Sequence, residues 1–239
     1  MTDSANGEDT GPSEDGPQLP EVVDWIVATI IALAGVALTV GGSALTFVVD
    51  RDLIEAGVES GQITVIIFER DLTEAEMLEV TLEVVTWTGW GLLLTGIGLV
   101  LFAIGYVIVR HRTYRQTPET ESAGSYRSYA VLGAVATGIL SFLPFSPVIG
   151  GGAAGYLERY GTGRTVSVGA LSGFLAMVPV LVLLVFVTIG LYAGLATVQY
   201  SGLGIVTAAA MLFALLFTAA YGAGLGALGG FAGGRVAER

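Results

Sequence analysis

Residues 128–157 read SYAVLGAVATGILSFLPFSPVIGGGAAGYL, a long stretch without a charged side chain. About 20 apolar residues in a helix cross a bilayer core of about 30 Å, so the stretch has the length of a transmembrane segment. One regular helix is ruled out by its prolines. Pro144 and Pro147 each lack a backbone donor and crowd the preceding turn. Leu143 and Ser146, directly before them, are biased away from helix. Gly150, Gly151, Gly152 and Gly155 follow. Two readings remain: a strongly kinked single crossing, or a re-entrant hairpin of two half-helices that enters and leaves on one side. Irregular backbone at membrane depth is tolerated where protein or a water-filled cavity surrounds it. Pro144, Pro147, Gly150, Gly151, Gly152 and Gly155 are therefore the candidate structural or functional break.

The arginines discriminate. Trp25–Val49, Val84–Val109 and Thr165–Gly234 are likewise free of charge. The last is long enough to cross twice, as Val166–Tyr192, which contains Pro179, and Leu203–Phe231, with an uncharged turn near Gly194–Gly202. All 10 basic residues are Arg. With a re-entrant hairpin, Arg110, Arg112, Arg115, Arg127, Arg159, Arg164, Arg235 and Arg239 share one side, and Arg51 and Arg70 take the other. A full crossing would split them nearly evenly. The positive-inside rule favours the hairpin. The expected fold is an all-α integral membrane protein with four transmembrane helices and one re-entrant helical hairpin. It would be multi-pass in the cell membrane, with both termini cytoplasmic.

The chain divides into an acidic, disordered tail (1–24), a two-helix membrane module (25–115) with an external acidic segment (50–83), a polar linker (116–127) and a Gly-rich membrane domain (128–239). The tail is acidic where a secretory leader would be basic. Within the acidic segment, Asp50–Val58 reads as a short helix and Ile63–Phe68 as a short strand or buried edge. Thr73-Glu74-Ala75-Glu76 is a capping box. The helix it starts should run on through the second span for about 36 residues, or about 54 Å, and so stand out of the bilayer.

Charged residues make up 13% of the chain, against about 25% for soluble domains. Acidic residues outnumber basic ones 21 to 10 and there is no Lys, a balance that suits a salt-saturated cytoplasm, where salt screens self-repulsion. The absence of Cys excludes disulfides and thiolate chemistry, and the single His111, set between Arg110 and Arg112, excludes multi-histidine metal sites. Glu76, Glu79 and Glu83 share one helical stripe. Without the ligand spacing of a calcium loop, they read as a solvated acidic face.

Gly133-Ala134-Val135-Ala136-Thr137, Leu140–Pro147, Gly151–Glu158, Val168–Gly173 and Gly226–Gly230 together resemble a family of small haloarchaeal membrane domains of unassigned function. Pro144-Phe145-Ser146-Pro147 followed by the glycine run and Gly155-Tyr156-Leu157-Glu158 is the specific part. The resemblance spans the chain from Ser128 onward and implies no site or activity. A faint likeness between Ile149–Gly155 and Leu228–Gly234 accompanies it.

Three function classes can be weighed. The Gly222–Gly226, Gly226–Gly230 and Gly151–Gly155 pairs are GxxxG spacings, which serve close helix packing. They favour a non-catalytic protein acting through helix packing or membrane assembly, with the lipid bilayer and a homo-oligomer or another membrane protein as partners, and no nucleic acid. The alternative is a passive channel or transporter for a small neutral solute, motivated by the broken helix. No charged residue lies within the spans as read, which counts against an ion path. An enzyme lacks a nucleophile–base pair or metal ligands, so no catalytic residue, cofactor or metal is assigned.

Overall fold

The computed structural model describes residues 21–62, 66–67, 70–116, 126–159, 163–198 and 201–238. The tail 1–20, the linker residues 117–125 and the turn residues 199–200 lie outside the described residues. Seven helices follow in order: α1 (Glu21–Phe47), α2 (Arg51–Glu59), α3 (Glu74–Gln116), α4 (Tyr126–Ile139), α5 (Ser146–Glu158), α6 (Thr165–Thr197) and α7 (Ser201–Val236). Between α2 and α3, β1 (Ile66–Ile67) and β2 (Arg70–Asp71) pair antiparallel, Ile66 with Asp71 and Ile67 with Arg70.

Four helices are long and apolar enough to cross a bilayer: Val22–Phe47, Glu74–Val109, Thr165–Thr197 and Gly204–Val236. They form a row, α1 against α3, α3 against α6 and α6 against α7. Each neighbouring pair is antiparallel. Gly35 meets Gly96 and Gly42 meets Leu93 between α1 and α3; Gly91 meets Phe186 and Gly194 meets Val80 between α3 and α6; Gly169 meets Gly230 and Gly173 meets Gly226 between α6 and α7. The apolar spans therefore stack side by side.

Several helices outrun their expected limits. α1 begins at Glu21, so Asp24 lies inside the helix, 4% exposed, and its carboxylate accepts the Tyr106 hydroxyl at 2.6 Å. The expectation that no ionisable residue enters a span is corrected here. Asp24 sits in the first turn, where a carboxylate complements the helix dipole. α3 has 43 residues, about 64 Å, because nothing in Arg110–Gln116 breaks a helix. α6 and α7 close the expected turn down to the few residues between Thr197 and Ser201. Pro179 lies within α6, which stays one helix.

The capping box forms as read. Glu76 accepts from the Thr73 amide at 3.0 Å, and Thr73 Oγ1 accepts from the Glu76 amide at 3.3 Å. Asp50 caps α2 by accepting from the Leu53 amide at 3.0 Å. Ile54 and Val58 of α2 are buried against Leu78 of α3. Trp87 and Tyr106 of α3 are separated by about 28 Å of helix, close to a bilayer core, so α2 and the first turns of α3 form a cap beyond the apolar slab.

Candidate functional site

The hairpin is the feature that the row of long helices does not account for. α4 has 14 residues and α5 has 13, about 20 Å each, so neither reaches across a core of about 30 Å. They are antiparallel: a Cβ on Gly150 would strike the carbonyl of Gly133 and Thr137 Oγ1, and one on Gly133 would meet Ala154 Cβ at 2.9 Å. The turn spans Leu140–Phe145, held by the amides of Leu143 on Leu140 O (2.8 Å) and of Ser146 on Leu143 O (3.1 Å). Pro144 lies in this turn. Pro147 does not break a helix; it occupies the first turn of α5, where its missing N–H has no partner to lose.

The glycines of the break each face a neighbour. Gly150 is set against Gly133 and Thr137 of α4. Gly151 and Gly155 are set against the backbone of Gly226 and Gly230 in α7, and Gly152 lies between Gly229 and Gly233. The same stripe of α7, Gly222, Gly226 and Gly230, also meets Gly173, Gly169 and Thr165 of α6. Three backbones thus approach to distances at which no Cβ fits. Such close approach is what small residues permit in membrane helices, where dispersion and hydrogen bonding rather than hydrophobicity hold the pair. The GxxxG spacings face neighbours within the chain: Gly151–Gly155 and Gly226–Gly230 between α5 and α7, and Gly222–Gly226 between α7 and α6. The likeness between Ile149–Gly155 and Leu228–Gly234 has a local cause: the two segments run parallel and face each other, so each needs small residues.

α5 runs parallel to α7, and both end in the same place, where Arg159 Nη2 lies 2.8 Å from Glu238 Oε1. At the other end of α5 the Tyr221 hydroxyl donates to the Pro144 carbonyl at 2.8 Å. Tyr221 is about 21 Å of helix from Arg235 and about 25 Å from Gly204. The hairpin therefore covers the Arg235 end of the row, and α6 and α7 continue well past its tip. The tip itself is apolar and bare: Phe142 is 76% exposed and Phe145 63%.

The two ends of the bundle differ in charge. Arg110, Arg112 and Arg115 end α3, Arg127 opens α4, Arg159 caps α5, Arg164 precedes α6 and Arg235 ends α7; the helix directions gather these at one end, with the start of α1. The acidic segment and Arg51 lie at the opposite end. There the three carboxylates of the stripe do separate work: Glu76 caps α3, Glu79 pairs with Arg51 at 2.8 Å and Glu83 accepts from Trp87 Nε1 at 3.2 Å. Among the described residues no group of three His, Asp or Glu side chains is placed to hold a metal ion.

The burial of three further polar residues was not legible in the sequence. Glu158 ends α5 and is 1% exposed; Ser128 and Ser172 are also buried. The Ser172 hydroxyl has no hydrogen-bond partner and points at Gly133. Nothing in the local sequence marks these positions, because their burial comes from the packing of α4, α5 and α6 on one another. No curated protein and no solved structure matches the chain. The part that holds the hairpin, α6 and α7, residues 127–236, matches the model of a family of unknown function, DUF5518.

Proposed function

We propose that this is a non-catalytic multi-pass membrane protein whose Gly-clamped hairpin is re-entrant, and which acts as a packed membrane scaffold presenting an acidic cap on one side and an arginine rim on the other. The observation that carries the reading is the α5–α6–α7 clamp. Gly151, Gly155, Gly169, Gly173, Gly226 and Gly230 bring three backbones into contact, so the α5 half of the hairpin is wedged against protein. A pathway would instead need its polar groups to face a lumen. Two hydroxyls of the hairpin and its contact that could line one are buried: Thr137 donates to the Gly133 carbonyl at 2.9 Å, and Ser172 faces the same glycine. The tip presents phenyl rings.

With the arginine end cytoplasmic, both ends of the described chain lie inside and the cap lies outside the cell membrane. Cysteine labelling tests this on a chain that has none of its own. Impermeant maleimide applied to intact cells should label Ser60→Cys and spare Thr162→Cys and Ala237→Cys until lysis. Labelling of Thr162→Cys with Ala237→Cys still protected would mean a full crossing, and the re-entrant reading would fall. A passive path for a small neutral solute is the competing reading. Flux through proteoliposomes that is lost in a Pro144→Ala/Pro147→Ala variant would establish it over the scaffold.

A further inference from the structure

The chain carries a formal charge of −11, yet among the described residues three arginines at one end of the bundle have no carboxylate paired with them. Among the described residues, Arg127, Arg164 and Arg235 are exposed and form no ion pair. Of the carboxylates at this end whose side chains are described, Asp24 is engaged with Tyr106, Glu238 with Arg159, and Glu158 is buried with a partner of its own. At the opposite end Arg51 is paired with Glu79.

Tertiary packing brings the three free arginines round the foot of α6. Ala130 of α4 and Val168 of α6 are fully buried in one cluster. Arg127 lies one turn before Ala130, and Arg164, the N-cap of α6, lies one turn before Val168. Gly234 of α7 packs on the side chain of Thr165, so Arg235 and Arg164 both adjoin one α6–α7 contact. No acidic residue lies in the first turn of α4 or α6, where a carboxylate would ordinarily complement the helix dipole. Arg127 and Arg164 thus stand at positive helix starts with no carboxylate in the first turn, while Arg235 stands at the C-terminal end of α7.

We infer that this rim is a binding surface for the phosphate groups of anionic membrane lipids. Depth favours a lipid over a soluble anion or an acidic protein. The Arg235 guanidinium lies 4.3 Å from the ring centroid of Phe231, an exposed side chain on the apolar span, and Tyr156 is exposed nearby on α5. The Arg235 guanidinium thus edges the lipid-facing surface, at the level where aromatic side chains mark the interface. Guanidinium forks suit phosphate geometry, and basic residues between membrane helices are an established means of holding anionic headgroups. The inference rests on the bundle being embedded in a membrane and not on which side the rim faces.

The test is lipid retention by the purified full-length chain, delipidated and then exposed in detergent to equimolar phosphatidylglycerol and phosphatidylcholine, with bound lipid counted by native mass spectrometry. Wild type should retain phosphatidylglycerol over phosphatidylcholine by at least about tenfold. The R127Q/R164Q/R235Q variant should fall close to parity, R127K/R164K/R235K should keep most of the preference, and R51Q should behave as wild type. Equal retention of the two lipids by wild type, or an unchanged preference in the triple Gln variant, overturns the inference. Displacement of the lipid by millimolar inorganic phosphate would assign the site to a free anion and overturn it as well. If the triple Gln variant does not fold, the wild-type preference and the phosphate competition decide the matter. The maleimide pattern is read separately, so a failed topology and a failed lipid site are distinguishable.

Discussion

The hydroxyl of Tyr221, in the middle of α7, donates to the main-chain carbonyl of Pro144, at the tip of the α4–α5 hairpin, at 2.8 Å. The turn interrupts the helical ladder, and a carbonyl freed at membrane depth has no water to turn to. The bond supplies a partner and fixes the height at which the hairpin stops against α7. Replacing Tyr221 by Phe keeps the ring and deletes the donor. The loss should be about 1 kcal/mol, the usual scale for interhelical hydrogen bonds in membranes, measured as reduced stability to denaturing detergent. No change would mean that the carbonyl finds another partner.

Gly226 and Gly224 lie two residues apart on one helix and should respond in opposite ways. A methyl on Gly226 would meet the Gly169 carbonyl and, at 3.0 Å, the Gly173 Cα; one on Gly224 meets nothing within 4 Å. Backbone cannot yield as a flexible side chain does, so Gly226→Ala should cost 2 kcal/mol or more, on the order of overpacking. Gly224→Ala should stay within about 0.5 kcal/mol. Thermal unfolding of the two variants in the same detergent compares them directly.

Ser172 is fully buried with an unpartnered hydroxyl against Gly133. An unmade hydrogen bond in a buried site costs roughly 1–3 kcal/mol. Ser172→Ala should therefore be neutral or raise the melting temperature. A clear loss of stability would show that the hydroxyl has a partner in the folded protein.

α2 docks on α3 through both an ion pair and an apolar face, and the two contribute unequally. The Arg51 and Glu79 side chains are 57% and 42% exposed, so removing Arg51 should cost less than about 1 kcal/mol. Ile54 is buried against Leu78, and Ile54→Ala should cost about 2–4 kcal/mol of local stability. Amide exchange over Arg51–Glu59 reads both, and similar effects from the two variants would contradict the apolar account.

Much of the fold was legible one segment at a time. Charge-free length marked the four long helices, because a bilayer core excludes unpaired charge over a fixed thickness. Thr73 and Glu76 marked the start of α3, because a capping box is completed by residues three apart. Pro144 and Pro147 marked the break, because proline constrains the backbone wherever it stands. The helix ends were read short: Asp24 and Arg110 looked like borders, but charge ends an apolar stretch without ending a helix.

What the sequence determined by itself is local chemistry: which segments are apolar, where the backbone must turn, and that all the basic residues are arginines. Tertiary structure alone decided who meets whom. The glycine stripes read equally as surfaces for another chain, and only the packing of α5 and α6 against α7 assigns them to the interior. Arg127, Arg164 and Arg235 are scattered along the sequence and become one rim because antiparallel helices return to the same end. Glu158 and Ser172 carry no local signal of burial, since burial is a property of the neighbours that a fold brings up and not of the residues beside them in the chain.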